Sequence, residues 1–250
     1  MSKILRVLFA GESWFTHTQH VKGFDSFEEC SYGEGGDHLI EALRGAGIDV
    51  TYFPNHIANR DFPMTREEID KFDVVILSDI GANTLLLPRK SFNEAQRTPN
   101  RLDLIRDYVQ NGGGFLMVGG YLTFQGIQAK GNWAGTAVDA ILPVELQHKD
   151  DRSEHPEGIT PVVAKAEHPI VQGLPAWPHL LGYNRAALRP DSDLIVTVGN
   201  DPLVAVREVG KGRTGVFSSD CGPHWGPPEF VNWEGYPPFW TNLVRWLAKQ

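Results

Sequence analysis

Short apolar runs alternate with amphipathic segments along the first half of the chain, and this alternation limits the fold more than any other feature. Residues 4–10, 74–78 and 114–118 are almost continuously apolar, as strands buried on both faces of a parallel sheet are. Between them, residues 37–47 and 101–110 carry apolar side chains at helical spacing. Such β-α-β repetition predicts an α/β fold with a mostly parallel sheet and helices on both of its faces.

Capping residues mark the boundaries of two predicted helices. Asp37 can cap the start of the first amphipathic helix, and Gly47 can end it. Thr65 and Glu68 have the spacing of a capping box, in which each side chain accepts a hydrogen bond from the other residue's backbone N–H. A short helix is therefore predicted directly after Thr65.

The second half of the chain has a different pattern. From about residue 145 the apolar runs are shorter, and a Gly-Lys-Gly turn at 210–212 separates the last two of them. We expect these two runs to form a late β-hairpin joined to the main sheet. Residues 238–250 carry apolar side chains on one helical stripe, which predicts a packed terminal helix. Because no linker divides the chain, a single domain over residues 1–250 is expected.

Composition limits the classes of partner. The formal net charge of -8 disfavours nucleic acid and anionic membranes as the main partner, so a small-molecule ligand is expected. The first apolar run is only a few residues long, which predicts a first strand rather than a signal peptide, and no later run is long enough to span a bilayer. The two cysteines, Cys30 and Cys221, cannot make a disulfide framework, which favours a reducing, cytoplasmic location.

Polar and ionisable side chains follow four of the predicted strands. In open α/β sheets, ligands bind beyond the carboxyl ends of the strands, where loops and helix N-termini converge. We therefore expect these side chains to meet at one rim and to form a binding site. The candidate site residues are Glu12, Ser13, His17, His20 and Lys22 after the first strand, Asp79 and Asn83 after the third, Gly120 and Tyr121 after the fourth, and Asp220, Cys221 and His224 after the last.

Simpler roles remain open for several of these residues. Asp79 and Ser13 could cap the helices that follow them, and Lys22 could belong to a solvated loop. His17 and His20 are weak candidates for metal ligands, because their flanking sequence contains no known metal motif. No metal and no other cofactor is therefore predicted.

Cys221 and His224 allow two interpretations. They could be a nucleophile and its base, since only the thiolate of a cysteine attacks an electrophile. Alternatively, Cys221 could be a buried structural residue, because residues three apart across Gly222 and Pro223 need not face each other. The sequence leaves both interpretations open.

Two polar or aromatic stretches have no assigned chemistry. The run at 149–158 is expected to be a solvated loop. The aromatic and proline-rich stretch at 225–240 packs over the sheet, contacts a second subunit or forms a lid over the substrate, and the sequence leaves these alternatives open. A homo-oligomer formed through this stretch is a hypothesis that the sequence allows.

Three stretches of the chain resemble a known superfamily. "GGGFLMVGGYLTFQG" at 112–126, "AEHPIVQGLP" at 166–175 and the hairpin at 202–220 are similar to the class I glutamine amidotransferase-like superfamily. Within it, the glutamine amidotransferase-like and trehalose-utilisation (ThuA-like) groups are the most similar, and the former resembles nearly the whole chain, including 16–27, 32–43 and 219–225. The resemblance implies a flavodoxin-like three-layer sandwich.

The same resemblance identifies a departure at the expected catalytic positions. Enzymes of this superfamily use a Cys on a tight strand-to-helix turn, with a His and a Glu after a late strand, to release ammonia from glutamine. In this chain Tyr121 stands at the position of that Cys, next to Gly120, and no His-x-Glu pair follows the late strand. A phenol is a poor acyl acceptor at neutral pH, so glutamine hydrolysis by the usual mechanism is not expected.

The sequence therefore supports three hypotheses about function. In the first, the rim binds a small polar molecule and acts on it by acid–base chemistry, with Tyr121 as donor or acid, a histidine as base, and Lys22 or Asn83 as polarising groups. In the second, the protein is a non-catalytic binding or assembly module. In the third, it is a hydrolase with Cys221 as nucleophile.

Overall fold

The computed structural model describes residues 4–250. In chain order its strands are β1 (Arg6–Gly11), β2 (Ser13–Lys22), β3 (Asp25–Glu34), β4 (Asp49–Phe53), β5 (Val74–Ser78), β6 (Gly114–Val118), β7 (Val144–Leu146), β8 (Arg152–Ile159), β9 (Val162–Val163), β10 (Leu180–Asn184), β11 (Ala186–Leu188), β12 (Asp193–Val198), β13 (Asp201–Val209) and β14 (Gly212–Phe217). Its helices are α1 (Asp37–Gly45), α2 (Asn55–Asp61), α3 (Arg66–Ile69), α4 (Ala82–Leu86), α5 (Arg89–Phe92), α6 (Arg101–Gln110), α7 (Pro228–Val231) and α8 (Tyr236–Leu247). Within residues 4–250, no helix combines the length and apolar character needed to cross a bilayer.

An eight-stranded sheet organises the molecule, in the order β4-β1-β5-β6-β14-β13-β12-β9. The first five strands run parallel to one another, and the last three are antiparallel to their neighbours. The late hairpin β13–β14 joins the sheet because β14 pairs with β6. The predicted mostly parallel sheet with a late hairpin is confirmed.

Each central strand contributes side chains to two separate cores. Phe9 belongs to the core beneath α1 and α8, whereas its neighbour Leu8 belongs to the core beneath α2, α4 and α6. Successive side chains of a strand point to opposite faces, so a run that is apolar throughout can serve both cores. This arrangement makes the three-layer sandwich and confirms the predicted α/β fold class.

The helix boundaries agree with the sequence at one site and differ at another. The Thr65–Glu68 capping box is present at the start of α3, as predicted. At α1 the residue before the helix is Gly36, and Asp37 is the first helical residue. The helix ends at Gly45, and Gly47, with a φ of 77°, donates its N–H to the carbonyl of Arg44. Gly47 thus closes the chain reversal after the helix.

Residues 13–34 differ from the expected loop. They form the antiparallel hairpin β2–β3, paired at ten positions and closed by Gly23 and Phe24. The hairpin is a separate two-stranded sheet outside the central one. Strand β2 was not predicted because its sequence, "THTQHVK" at 16–22, does not alternate between apolar and polar side chains as a half-buried strand does.

The aromatic stretch at 225–240 packs against the chain's own sheet. Trp225, Phe230, Tyr236, Phe239 and Trp240 are all buried within the molecule. This supports the packing interpretation of the stretch.

A core truncation in α8 tests the packing of this layer. Leu243 is fully buried, so we expect Leu243→Ala to lower the free energy of unfolding by about 2–5 kcal/mol through lost burial and the cavity left behind. Urea unfolding followed by circular dichroism measures the change. Leu188→Ala, at a residue 37% exposed, is the matched control and should cost less than half as much. Equal losses for the two variants would contradict the described packing.

Candidate functional site

Four neighbouring strands end at one cleft. β1, β5, β6 and β14 are adjacent in the sheet, and residues that follow each of them lie together beyond their carboxyl ends. The cleft has a volume of about 330 Å³. Its lining residues are Glu12, Trp14, Asp79, Tyr121, Asp220, Pro223 and His224.

Backbone geometry turns two carboxyl side chains towards this cleft. Glu12 and Asp79 have φ values of 46° and 42°, in the left-handed region that non-glycine residues rarely adopt. Glu12 donates its N–H to the carbonyl of Ser78 at 3.0 Å, which ties the end of β1 to the end of β5. Gly11 permits this approach, because a Cβ at that position would lie 1.7 Å from the Ser78 carbonyl oxygen. Such strain is common at functional sites.

Glu12, Asp79 and Asp220 form a carboxyl cluster withdrawn from water. Burial raises the pKa of Glu12 and of Asp220, and the mutual repulsion of the carboxylates adds to the increase. Burial also raises the pKa of Asp79. The Ser78 hydroxyl donates a hydrogen bond to Glu12 Oε1. Because the ionised forms are disfavoured, the cluster retains protons at a higher pH than exposed carboxylates do.

His224 lies beside this cluster. Its Nδ1 is 3.4 Å from Asp220 Oδ2, and burial lowers the pKa of the imidazole. A neutral imidazole held by a carboxyl group can accept a proton at the other ring nitrogen. The His224 ring also packs edge-on against the ring of Tyr121, with the ring centroids 4.4 Å apart.

Tyr121 contributes its ring to the cleft, while its hydroxyl is bound elsewhere. The hydroxyl donates to Glu154 Oε1 at 3.2 Å, and the guanidinium of Arg152 lies 4.8 Å from the ring centroid. Burial and the nearby Glu154 raise the pKa of the phenol, so it stays protonated. Trp225 donates to the other oxygen of Glu154 at 2.9 Å. The ring of Tyr121 thus forms a wall of the cleft, and its hydroxyl is engaged by Glu154.

The loop after β6 is held by two buried side chains. Asn184 accepts a hydrogen bond from the Gly120 N–H at 3.0 Å and donates to Asp151 at 2.9 Å. Asp151 in turn accepts from the N–H groups of Gln125 and Gly126. No helix follows β6 directly within the described chain, in contrast to the strand-to-helix turn that the family resemblance implies.

Asp151 and Glu154 correct the expectation of a solvated loop at 149–158. Asp151 is fully buried, and Glu154 binds both Tyr121 and Trp225. Sequence reasoning also missed Asn184 and Trp14. The only signal for Asp151 was its place in an acidic run, which does not distinguish a buried carboxyl group from exposed ones.

Ser13 and Asn83 do not line the cleft. The Ser13 hydroxyl accepts the backbone N–H of Asn55 at 2.7 Å, at the start of α2, and it does not cap α1, the helix that follows it in the chain. Asn83 is exposed in the first turn of α4. Asp79 does line the cleft, and its Oδ1 also accepts the N–H of Leu122 at 2.8 Å.

His17, His20 and Lys22 lie on the exposed strand β2, and this placement corrects their expected position at the rim. His17 pairs with Glu28 at 3.4 Å and His20 with Glu29 at 2.6 Å. Residues three apart on a strand point to opposite faces, so the two histidines cannot share one ion. Among residues 4–250, the group with metal-ligand geometry is Glu12, Asp220 and Cys221, whose ligand atoms lie within 4.8 Å of one another.

Cys221 is behind the cleft lining. Its Sγ donates to Glu12 Oε1 at 3.7 Å and lies 3.7 Å from the Ser78 hydroxyl. Burial, with the nearby Glu12 and Asp220, raises the pKa of the thiol. The thiolate that a nucleophile or a soft-metal ligand requires is therefore disfavoured. This environment agrees with the structural interpretation of Cys221.

The sequence from residue 6 to residue 249 matches the family model described as "Putative glutamine amidotransferase". The chain belongs to this family. The resemblance inferred from the sequence is thereby confirmed. No curated protein matches the chain.

Solved structures place this member of the glutamine amidotransferase-like family among close relatives. Cytoplasmic Protein STM3548 from Salmonella typhimurium is 45% identical, with a TM-score of 0.95 over 97% of this chain and 99% of that one. Cytoplasmic Protein STM1381 from Salmonella typhimurium LT2 is 44% identical, with a TM-score of 0.94 over the same shares of the two chains. A ThuA-like protein from Parabacteroides merdae ATCC 43184 is 12% identical, with a TM-score of 0.56 over 98% of this chain and 90% of that one, and it supports the fold alone.

Alkylation rates test the placement of the two thiols. Cys30 is exposed and Cys221 is buried with a raised pKa, so iodoacetamide near neutral pH should label Cys30 at least about tenfold faster. Mass spectrometry of the digested protein measures both sites, and labelling in urea should remove the difference. Faster labelling of Cys221 in the folded protein would restore it as a nucleophile.

Replacing the buried carboxyl group of Glu12 by a neutral amide should stabilise the protein, and the gain should depend on pH. Because the folded pKa of Glu12 exceeds its unfolded value, ionisation costs stability as pH rises through the folded pKa. Glu12→Gln keeps an acceptor for Ser78 and removes that cost. We expect the variant to gain about 1 kcal/mol or more over the parent at about pH 8 and little at about pH 4. Urea unfolding measures this gain.

The matched control for this gain is Glu145→Gln. Glu145 is an exposed glutamate on β7, so its neutralisation should leave the free energy of unfolding unchanged at both pH values. A loss of stability in Glu12→Gln at the higher pH would contradict the described cluster.

Proposed function

We propose that the protein binds a small polar molecule rich in hydrogen-bond donors, a polyol or an amine, in the cleft beyond β1, β5, β6 and β14, and acts on it by acid–base chemistry. One observation carries this proposal. Carboxyl groups from three strand ends face one cleft, and its described lining contains no lysine or arginine.

The lining favours this class of ligand for three reasons. Carboxyl oxygens accept hydrogen bonds from O–H and N–H groups, and the described lining offers no lysine or arginine that would hold a phosphate or a carboxylate. The rings of Trp14 and Tyr121 offer apolar walls for the C–H faces of a polyol or for an ammonium group. The volume of about 330 Å³ lies at the lower end of the usual range for ligand sites, which favours a small molecule.

His224 is the proposed base. Burial lowers the pKa of its imidazole, and Nδ1 faces Asp220, so Nε2 is the nitrogen that would accept a proton from a ligand hydroxyl or ammonium. Asp220 would orient the ring through Nδ1. Glu12, whose pKa is raised, would donate a proton to the ligand, and transfer of the proton held on His224 to the Glu12 carboxylate would restore both groups. Opposite shifts in neighbouring groups are typical of acid–base pairs.

The two other hypotheses have less support. A hydrolase that uses Cys221 would need a thiolate where burial disfavours one. A binding or assembly module would share the carboxyl cleft and would have no need of a neutral His224. We also propose a cytoplasmic location, since both Salmonella relatives are named cytoplasmic proteins.

Thermal stabilisation by a panel of small molecules tests the proposed ligand class. The probes are glycerol, myo-inositol and glucose as polyols, ethanolamine and 1,4-diaminobutane as amines, and phosphate and acetate as anions. We expect members of the first two classes to raise the melting temperature and the anions to leave it unchanged, because bound ligand stabilises only the folded state. Stabilisation by the anions alone would contradict the proposal.

Variants of the cleft separate binding from chemistry. Asp79→Asn and Glu12→Gln should weaken the response to the stabilising probe, and Glu145→Gln should not. The response should also decrease as the pH falls and the imidazole of His224 is protonated, and His224→Gln should remove that pH dependence. If His224→Gln keeps the pH dependence of the parent protein, the result would favour the non-catalytic binding module.

A further inference from the structure

The hairpin β2–β3 exposes apolar side chains on a ribbon of only two strands. Phe15 is 64% exposed and Val21 68% exposed, and Phe24, at the turn, is fully exposed. Phe27, on the second strand, is half exposed. Hairpin turns are normally polar, and an isolated two-stranded hairpin is only marginally stable in water. The composition of this ribbon therefore indicates that another protein surface covers it.

The charge of the hairpin restricts the nature of that surface. Lys22 is its only lysine or arginine, whereas the ribbon carries the acidic residues Asp25, Glu28, Glu29 and Glu34. A complementary surface would be basic and would offer exposed apolar groups.

Residues 87–97 of the same chain have both properties. Phe92 is 71% exposed and Leu87 is also exposed. The segment carries Arg89, Lys90 and Arg97 against a single acidic residue, Glu94, which pairs with Arg89. It borders a cleft of about 470 Å³.

The two surfaces are neighbours on the same side of the molecule, with α2 between them. The side-chain amide of Asn59, in α2, donates to the carbonyl of Leu87 at 3.0 Å. The rings of Phe15 and Tyr32, at the base of the hairpin, contact His56 of α2, and α2 packs against α4. Within one chain, Phe24 and Phe92 both remain exposed.

We propose that the hairpin is an arm exchanged between two copies of this chain, whose tip docks on residues 87–97 of the second copy. A two-fold axis on this side of the molecule would form both contacts at once, because an isologous interface repeats each pairing. One face of a ten-residue ribbon about 33 Å long and about 10 Å wide covers roughly 330 Å². Two such arms, each lying on the partner through one face, would bury roughly 1,300 Å², counting both partners, which is within the size range of specific interfaces.

Charge reversal with complementation tests this pairing. Sedimentation velocity at tens of micromolar protein should show a dimer for the parent chain. The double variant Lys90→Glu/Arg97→Glu reverses the charge of residues 87–97, and Asp25→Lys/Glu28→Lys reverses the charge of the arm. Each variant alone then brings like charges together, so each should be monomeric. Mixed together they should form a heterodimer, since both contacts again join opposite charges. The variants lie outside the cleft, so the result is independent of the proposed ligand.

Three results would overturn the proposal. These are a monomeric parent chain, a dimer that survives both charge reversals, and a mixture of the two variants that stays monomeric. Cross-linking gives a second measurement if a variant folds poorly. In a Cys30→Ser background, a short bis-maleimide should join Ser26→Cys protein to Asn93→Cys protein. It should not join Ser26→Cys protein to Lys249→Cys protein, because Lys249 lies beside Lys211, at the amino end of the parallel strands.

Discussion

The site depends on one constraint, the removal of three carboxyl groups from water at the ends of adjacent parallel strands. Glu12 and Asp79 follow β1 and β5, and Asp220 follows β14. Burial penalises their ionised forms, and each carboxylate makes the next harder to ionise. A fold optimised only for stability would not keep this arrangement, and groups with strongly shifted pKa values are concentrated at functional sites.

The surrounding structure holds this cluster in place. Gly11 lets β1 and β5 approach, and left-handed backbone at Glu12 and Asp79 directs both side chains into the cleft. On the opposite side, Asn184 and Asp151 fix the loop that carries Tyr121. Tyr121, the residue that the family resemblance implies at the position of the family's thiol, forms one wall of the cleft. Cys221 lies behind Glu12, and burial raises the pKa of its thiol.

The features that were predictable from the sequence are those set by local pattern. Strands such as Val74–Ser78 are apolar throughout because both faces are buried, and the capping box at Thr65 needs only residues within one turn. The rule that ligands bind at the ends of strands identified Glu12 and Asp220 without knowledge of the loops.

The features that were not predictable depend on distant partners. Asp151 and Asn184 are 33 residues apart, and neither stretch indicates that the other buries it. His17 and Lys22 were expected at the rim because their segment follows β1. Ten-residue pairing into a hairpin instead carries them away from the cleft, and each residue of a strand adds about 3.3 Å.

The most direct test of the account is the protonation state of Glu12 in the folded protein. Carbon-13 NMR of labelled glutamate carboxyl groups, with Glu12→Gln to assign the resonance, follows its titration. The Glu12 carboxyl should keep its proton well above the usual pKa range of a glutamate in water. Titration of Glu12 together with the exposed glutamates would contradict the account.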